Sequence, residues 1–213
     1  LSSVFQMKFD SQAAAIGQDQ TGLTNFYMDN LYFSNRTPTV GTPAPATAPT
    51  SAAPAPSGVS DAEAISLFSD ALADDHIVTN FNPGWGQSGS LAPASDVGSS
   101  VGNVLKFTNL NYQGIALNAT DVSQKQSLHV DLWSATAGKV KLFLISNAGG
   151  AVSESGTLLD VKAGSWNSFD IDLHAFSGTS LSSVFQMKFD SQAAAIGQGQ
   201  TGLTNFYMDN LYF

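Results

Sequence analysis

Side chains that could perform acid–base or nucleophilic chemistry are few in this sequence and are scattered along it. Hydrolysis of a glycosidic bond normally needs two carboxyl groups that flank the bond, one of them protonated. The chain has only two glutamates, Glu63 and Glu154. Asp170 and Asp172 alternate along a segment in the way that carboxylates on a solvated strand face do. The histidines do not have the HExxH spacing of a zinc hydrolase, so we expect that this protein is not an enzyme.

Composition narrows the function further. The 213 residues include eight Lys and Arg against 17 Asp and Glu, a net charge of −9, which disfavours binding to the phosphates of nucleic acid. The absence of cysteine excludes disulfides, thiolate metal sites and thiol nucleophiles. No apolar run reaches the roughly 18 residues of a membrane-spanning helix. We therefore predict a soluble protein with no nucleic-acid partner and no membrane span, and we expect any signal peptide to lie outside this stretch of chain.

A long internal repeat organises the chain. Residues 181–213 repeat residues 1–33 with a single change, Gly199 in place of Asp19. A single packed core does not require such identity, so the repeat indicates tandem duplication of a larger unit. We interpret residues 1–33 as the C-terminal part of a preceding copy, and we expect adjacent copies of the same repeat as partners.

Residues 34–62 differ in composition from the rest of the chain. They hold six of its eight prolines and no aromatic residue. Such a stretch buries too little apolar surface to offset the entropy cost of ordering it, and its prolines favour extended polyproline II. We interpret it as a Pro/Ala/Thr-rich linker, which leaves residues 63–213 as one complete domain.

Within this domain, apolar and polar side chains alternate with a period of two, as in β-strands with one buried face. In residues 127–134, for example, Leu128, Val130 and Leu132 alternate with polar or aromatic residues. Eight or more short strands separated by turn signals indicate an all-β domain, a jelly-roll β-sandwich. We predict strands over 104–109, 112–117, 127–134, 139–146, 157–162, 168–174, 184–190 and 204–213, and short helical pieces near 61–68 and 191–196.

The succession of motifs along the domain resembles a known family. The segments, in order, are FSDALADDHIVTNFNPGWGQ (68–87), VLKFTNLNYQGIAL (104–117), LHVDLWSA (128–135), LFLIS (142–146), GSWNSFDIDLHAF (164–176) and QMKFD…FYMDNLYF (186–213). Together they resemble the non-catalytic carbohydrate-binding modules appended to bacterial laminarinases, agarases and related secreted glycanases. This resemblance implies an extracellular or cell-surface β-sandwich that holds an enzyme or a surface against a polysaccharide.

In such modules, aromatic rings lie against the apolar faces of sugars while polar neighbours bind the hydroxyl groups. The resemblance therefore points to the aromatic and polar residues that lie in loops or on the polar faces of strands. If the strands at 127–134, 139–146 and 184–190 lie in one sheet, many of these side chains share one surface, together with Lys141 and Asp190. The ligand-binding candidates are Trp133, Trp85, His129, Asp131, Tyr112, Lys188 and Gln186.

Each tryptophan also has a structural interpretation. Trp133 fits either an exposed sugar platform or a second buried layer. Trp85 lies among Pro83, Gly84 and Gly86, which indicate a loop, and it fits either a recognition loop or a plug at the end of the sandwich. Trp166 opens a strand, where packing is the favoured interpretation.

The resemblance also implies a structural metal ion. The closing sequence Tyr207-Met208-Asp209-Asn210 follows a Tyr-x-Asp-Asn pattern of such modules, in which the aspartate often helps to bind calcium. Calcium prefers six to eight oxygen ligands from carboxylates and carbonyl groups. Because the first and last strands of a jelly roll are commonly neighbours, we expect Asp70 to be the second carboxylate. The alternative is that Asp70 caps a turn.

Two functions from different classes remain open at this stage. The first is a polysaccharide-binding module, one unit of a tandem array on a secreted bacterial protein, directed to a β-glucan of the laminarin type or to a marine galactan. The alternative is a structural repeat unit of an extracellular adhesin or filament. The near-identical duplication favours the alternative, and the motif succession with its spare aromatic residues favours the first.

Overall fold

The computed structural model describes residues 46–96 and 103–213. The repeat copy at 1–33 and the first part of the predicted linker lie outside these residues. The described chain forms the strands β1 (Ser66–Phe68), β2 (Val78–Asn80), β3 (Ser90–Ala94), β4 (Val104–Thr108), β5 (Tyr112–Thr120), β6 (Ser127–Trp133), β7 (Gly138–Ser146), β8 (Ser153–Val161), β9 (Trp166–Asp172), β10 (Val184–Asp190) and β11 (Phe206–Tyr212).

The strands form two antiparallel sheets that enclose one core. The six-stranded sheet has the order β3-β4-β11-β6-β9, with β1 also paired to β11, and the five-stranded sheet has the order β2-β5-β10-β7-β8. Apolar side chains of both sheets belong to a single buried cluster. The domain is an all-β, jelly-roll β-sandwich, which confirms the fold predicted from period-two alternation.

Alternation along the strands determines which side chains reach the core. Leu128, Val130 and Leu132 of β6 are 0% exposed, because they occupy the face of the six-stranded sheet that lies against the other sheet. Phe107 and Phe206, from neighbouring strands of the same sheet, stack with ring centroids 4.3 Å apart. Removing these side chains from water supplies the main driving force for joining the two sheets.

The repeated segment 181–213 supplies the central strand of each sheet. β10 lies between β5 and β7, and β11 lies between β4 and β6. Met187, Phe189 and Met208 from this segment are 0% exposed. Both sheets therefore depend on this segment for their hydrogen bonding and for the middle of the core.

Helical structure in the described residues is limited to single turns. α1 spans Ala193–Ile196, in agreement with the helical piece predicted at 191–196, and 3₁₀ turns span Ala148–Gly150, Leu173–Phe176 and Leu181–Ser183. The prediction of a helical piece near 61–68 is wrong, because β1 pairs with β11 and the Ile65 N–H donates to the Phe213 carbonyl at 2.8 Å. None of the helices in 46–96 and 103–213 is long and apolar enough to cross a membrane.

The sheet order corrects a second expectation. β6 lies in the six-stranded sheet, whereas β7 and β10 lie in the five-stranded sheet. The expectation that 127–134, 139–146 and 184–190 share one sheet is therefore wrong. Alternation specifies which side chains of a strand face the core, but it carries no information on which distant strands pair.

Candidate functional site

A groove crosses the outward face of the five-stranded sheet. Six of its nine side chains come from strand positions that alternate with the core residues, and the other three come from adjoining loops. The register places Lys188 of β10 opposite Phe143 of β7 on one side and Gly114 of β5 on the other. The groove has a volume of about 470 Å³, within the range of ligand-binding sites, and it is lined by Trp85, Tyr112, Ile145, Val152, Glu154, Gln186, Lys188, Asp190 and Gln192.

Trp85 reaches the groove from the loop between β2 and β3 and lies over the backbone of β5. A Cβ added to Gly114 would meet Cζ3 of Trp85 at 2.4 Å, so the indole occupies the space that a side chain at position 114 would fill. The Tyr112 hydroxyl donates to the Trp85 backbone carbonyl at 2.6 Å, and the Trp85 backbone N–H donates to Gln87 Oε1 at 2.8 Å. These bonds hold a half-buried indole flat against the sheet, at the edge of the groove.

Side-chain amides make the loop that carries Trp85 rigid. Gln87 Nε2 donates to Asn82 Oδ1 and to the Pro83 carbonyl, both at 2.7 Å. Gln113 Nε2 donates to Asn82 Oδ1 at 3.0 Å and to the Phe81 carbonyl at 3.2 Å. A platform that is ordered before binding loses less conformational entropy when a ligand arrives.

Lys188 lies in the middle of the groove and is held by two neighbours. Its Nζ lies 4.2 Å from the centre of the Phe143 ring and donates to the two carboxylate oxygens of Glu154 at 3.0 and 3.3 Å. The Phe143 ring lies over Gly156, where an added Cβ would meet Cδ1 at 2.6 Å. A second aromatic ring thus rests on a strand glycine next to Lys188, and the charge of this lysine is balanced by a carboxylate.

Sequence reasoning did not find all the residues that line the groove. Val152, which is 66% exposed, adds an apolar contact, and Gln192 adds an amide next to Asp190, whose Oδ1 accepts from the Gln192 N–H at 2.9 Å. Val152 precedes its strand, Gln192 follows its strand, and Glu154 lies in what reads as a turn, so alternation gave no signal for them. Asp190 was recognised from the phase of its strand.

The structure brings four of the predicted ligand-binding residues together in this groove. They come from a loop and from two adjacent strands, and they are Trp85, Tyr112, Gln186 and Lys188. The remaining three candidates lie on the outward face of the six-stranded sheet, at the opposite side of the sandwich.

Trp133 is one of those three, and it is only 2% exposed. It packs with Val104 and Tyr207, with Ala46 and Trp166 against the same cluster. The interpretation of Trp133 as an exposed platform is wrong, and the alternative of a second buried layer is the observed one. The reason is that its neighbours in the sheet, Tyr207 and Trp166, and the proline-rich chain at Ala46 together cover the ring.

His129 and Asp131 form an internal network on the same face. His129 Nδ1 lies 2.6 Å from Asp170 Oδ1, and its Nε2 lies 3.5 Å from Asp131 Oδ2. Its ring stacks on Tyr212 at 4.8 Å, and Asp131 also accepts a bond from the Ser168 hydroxyl. Burial lowers the pKa of His129, but its hydrogen bonds to the two carboxylates outweigh burial and raise that pKa overall. This network lies on the six-stranded sheet, whereas the groove lies on the five-stranded sheet. The expectation that His129 and Asp131 share one surface with Lys188 and Gln186 is therefore wrong.

Asp209 lies buried among other carboxylates. It is 1% exposed, and its Oδ1 accepts from the Asn210 N–H at 2.7 Å. Burial, together with repulsion from Asp70, Asp131 and Asp96, raises the pKa of Asp209 to about 7 despite that bond. β1 pairs with β11, as expected for the first and last strands. Within 46–96 and 103–213, however, no group of three or more His, Cys, Asp or Glu side chains has an arrangement that could hold a metal ion.

Comparison with known proteins shows similarity in fold. No protein-family model and no curated protein matches the chain. Among solved structures, the chain is similar to the family 11 carbohydrate-binding module from Clostridium thermocellum in complex with a β-1,3-1,4-mixed-linked tetrasaccharide, with 20% identity and a TM-score of 0.43 over 61% of this chain and 84% of that chain.

Two further solved structures are similar at the same level. One is the family 30 carbohydrate-binding module of a cellulosomal cellulase of Clostridium thermocellum, with 13% identity and a TM-score of 0.45 over 70% of this chain and 95% of that chain. The other is a family 29 carbohydrate-binding module complexed with mannohexaose, with 14% identity and a TM-score of 0.41 over 70% of this chain and 89% of that chain. The function proposed for this protein rests on its groove and not on these similarities.

Proposed function

We propose that this protein is a non-catalytic polysaccharide-binding module whose groove on the five-stranded sheet holds a stretch of glycan chain. The observation that carries the proposal is the indole of Trp85, seated on Gly114 beside the polar side chains of Lys188 and Gln186. Sugar rings present apolar C–H faces that stack on an indole and hydroxyl groups that need donors and acceptors. An aromatic platform next to a polar row supplies both.

The extent of the groove favours a chain of sugars over a single one. Residues that line it come from β5, β10, β7 and β8, which are adjacent in the sheet. Neighbouring strands lie about 4.8 Å apart, so the groove extends over roughly 14 Å. That length exceeds one sugar ring, and a polysaccharide is therefore the ligand class that uses the whole surface.

The charges in the groove favour a neutral glycan. Lys188 and Glu154 form an ion pair at 3.0 Å, and Asp190 adds a negative charge. Sulfated or uronic polysaccharides would meet no unbalanced positive charge among the residues that line the groove. We therefore propose a neutral β-glucan of the laminarin type as the ligand, with a marine galactan as the second candidate.

The carboxylates of the groove are arranged for binding and not for hydrolysis. A glycosidase keeps one carboxyl protonated while a second remains ionised. In the groove, Glu154 is engaged by the Lys188 ammonium group, from which it accepts two bonds. Asp190 accepts from the backbone N–H of Gln192. This arrangement supports the expectation that the protein is not an enzyme.

Titration of the intact protein with a panel of soluble glycans tests the proposal. The panel holds laminarin, mixed-linkage β-glucan, agarose oligosaccharides and a mannan. Trp85→Ala is expected to lower affinity on the order of thirtyfold, the loss typical of a central aromatic anchor. Trp166→Phe, which alters a tryptophan on the opposite sheet, is the matched control and is expected to leave affinity unchanged.

Two results would contradict different parts of the proposal. If the intact protein binds no member of the panel, the polysaccharide-binding function is wrong. If the protein binds but Trp85→Ala has no effect, the function stands and the groove is the wrong site.

We also propose that a calcium ion is held by Asp209 and Asp70. The proposal comes from the Tyr-x-Asp-Asn pattern, and the environment of Asp209 supports it. No ion pair joins Asp209 to a cationic side chain in the described part of the chain, so three like charges act on it without compensation. A divalent cation would offset that repulsion, and carboxylate oxygens are the ligands that calcium prefers. Backbone carbonyls and water would complete the set.

The duplication supports two further proposals. We propose that the domain is one unit of a tandem array on a secreted bacterial protein, because residues 1–33 and 181–213 differ at one position only. The role of 181–213 as the central strand of both sheets also favours the alternative function, a repeat unit of an adhesin or filament, since an identical segment of a neighbouring copy has the side chains to fill the same place.

A further inference from the structure

Residues 46–57, which belong to the predicted linker, lie along the outward face of the six-stranded sheet. The Trp166 indole N–H donates to the Ser51 carbonyl at 2.9 Å. Asn210 Nδ2 donates to the Pro54 carbonyl, also at 2.9 Å. Both bonds join a side chain of the sandwich to the backbone of the segment, so they hold the segment by its carbonyl groups.

A third bond and several apolar contacts complete the attachment. The Ala53 N–H donates to Asp96 Oδ2 at 3.2 Å. Pro49 is buried, and Ala46 packs against the cluster that contains Trp133. The segment thus covers an aromatic surface that would otherwise face solvent.

The backbone of β11 is distorted where it meets this segment. Asn210 has a φ of 50°, a conformation that few residues other than glycine adopt, and the register of β11 shifts between Asp209 and Tyr212. Bulges of this kind redirect a side chain. Here the amide of Asn210, 1% exposed, also donates to Asp131 Oδ2 at 2.8 Å and accepts from the Ser69 hydroxyl at 2.7 Å. The amide that binds the segment is therefore fixed from both sides.

We propose that the outward face of the six-stranded sheet is a docking surface for a proline-rich chain, and that its occupant is segment 46–57 of the same molecule. Proline fixes φ near the polyproline II value and lacks an N–H, so such a chain presents more carbonyl acceptors than N–H donors. An aromatic surface with an indole donor matches that chemistry, as in other modes of polyproline recognition. No backbone–backbone hydrogen bond links 46–57 to the rest of the described chain, so the segment is not an added strand.

This assignment gives the two faces of the sandwich different roles. The five-stranded sheet carries the proposed glycan groove, and the six-stranded sheet holds the incoming chain. Trp133 and Trp166 are then part of the docking surface, and the folded domain includes residues 46–57 of the proline-rich stretch. A glycan on one face and the chain on the other can be bound at the same time.

Hydrogen exchange of the Trp166 indole in the full chain tests the proposal. The indole resonance is assigned from its loss in Trp166→Phe. Ala53→Pro removes the N–H that bonds Asp96. Ala48→Pro is the matched control, because Ala48 also precedes a proline, is exposed, and has an N–H with no partner in the described residues. We expect Ala53→Pro to speed indole exchange about fivefold or more, the effect of one lost hydrogen bond, and Ala48→Pro to leave it unchanged.

Elastase cleavage within 46–57 gives a second readout, because the segment is rich in alanine. We expect Trp166→Phe to be cut several times faster than the native chain, with glycan affinity unchanged in both. Cleavage and exchange in the native chain at the rates of an unprotected segment would overturn the proposal. So would equal effects of Ala48→Pro and Ala53→Pro. Protection that declines on dilution would show that the segment comes from another copy, which overturns docking within one molecule.

Discussion

The indole of Trp85 lies in the space that a side chain on Gly114 would occupy, with Cζ3 only 2.4 Å from the position of such a Cβ. Glycine in the interior of a strand normally weakens it. At this position of β5 the absence of a side chain lets a loop aromatic lie flat on the sheet beside Lys188. The groove therefore depends on a contact between a loop and a strand that are far apart in sequence.

Gly114→Ala is expected to lower glycan affinity about tenfold, because the added methyl group displaces the aromatic anchor from the sheet. Isothermal titration against the best glycan of the panel measures the effect. Gly84→Ala in the same loop is the control, since no atom lies within 4 Å of the position of its Cβ. Unchanged affinity in Gly114→Ala would show that the position of the Trp85 ring does not matter for binding.

Glu154→Gln is expected to change which glycans bind, because it leaves the Lys188 charge unbalanced. Affinity for a sulfated galactan should rise several-fold at low salt and return to the native value at about 0.5 M NaCl, where screening is strong. Since the pair is partly exposed, with Glu154 47% accessible, the free energy of unfolding should change by less than about 1 kcal/mol. Lys188→Met is the control and should show no such salt-dependent gain. If Glu154→Gln gains nothing for anionic glycans, Lys188 does not face the ligand.

In the absence of calcium, stability is expected to fall as the pH rises from about 4 to about 7. The pKa of Asp209 is 3.8 in its unperturbed state and about 7 in the folded protein, so between these values the folded state binds more protons than the unfolded state. Ionised Asp209 then costs roughly 4 kcal/mol above pH 7. Asp209→Asn should remove this fall, as measured by denaturant unfolding across the pH range.

His129 contributes to the same profile over a different range. Because its pKa is raised in the folded protein, its stabilising contribution is present below its unfolded pKa of 6.5 and is lost as the pH rises through the folded value. The loss of stability that comes from His129 should therefore remain in Asp209→Asn, whereas the loss that comes from Asp209 should disappear. A profile in Asp209→Asn that matches the native one would mean that Asp209 is not the group responsible.

Calcium is expected to raise the thermal midpoint more at pH 8 than at pH 5, because the ion competes with the proton on Asp209. A ligand that binds only the folded state adds stability by mass action. Excess chelator should reverse the increase, and Asp209→Asn and Asp70→Asn should each reduce it. An unchanged midpoint in chelator, with no metal found by elemental analysis, would contradict the calcium proposal.

Cysteine pairs are expected to show that each sandwich uses its own C-terminal copy of the repeat. The chain has no cysteine, and Ala116 lies opposite Gln186 in the β5–β10 pair, close enough for a disulfide. Ala116→Cys with Gln186→Cys should therefore cross-link within one chain. Gln6 is the equivalent of Gln186 in residues 1–33, so Ala116→Cys with Gln6→Cys tests the other copy and should not cross-link. Disulfide-linked dimers and higher species in that variant would favour the filament function.

The strands and the inward faces of the sandwich could be predicted from sequence because alternation is a local property. Leu128 and Leu132 occupy the apolar positions of one alternating pattern, and this pattern alone predicts that their face of the strand is buried. The polar phase of β10 likewise identified Gln186, Lys188 and Asp190 as outward-facing. The aromatic candidates could be chosen from sequence because of their side-chain types, but the sequence did not indicate which of them line the groove.

Tertiary structure decided which of these outward-facing residues share a surface. Trp133 and Lys188 have the same phase in their strands, yet they lie on opposite sheets, because strand pairing joins segments far apart in the chain and leaves no periodic signal. Neighbouring strands and the proline-rich chain then bury Trp133, while Gly114 allows Trp85 to lie against the groove. Both outcomes arise from contacts between distant residues, and such contacts exist only once the two sheets have formed.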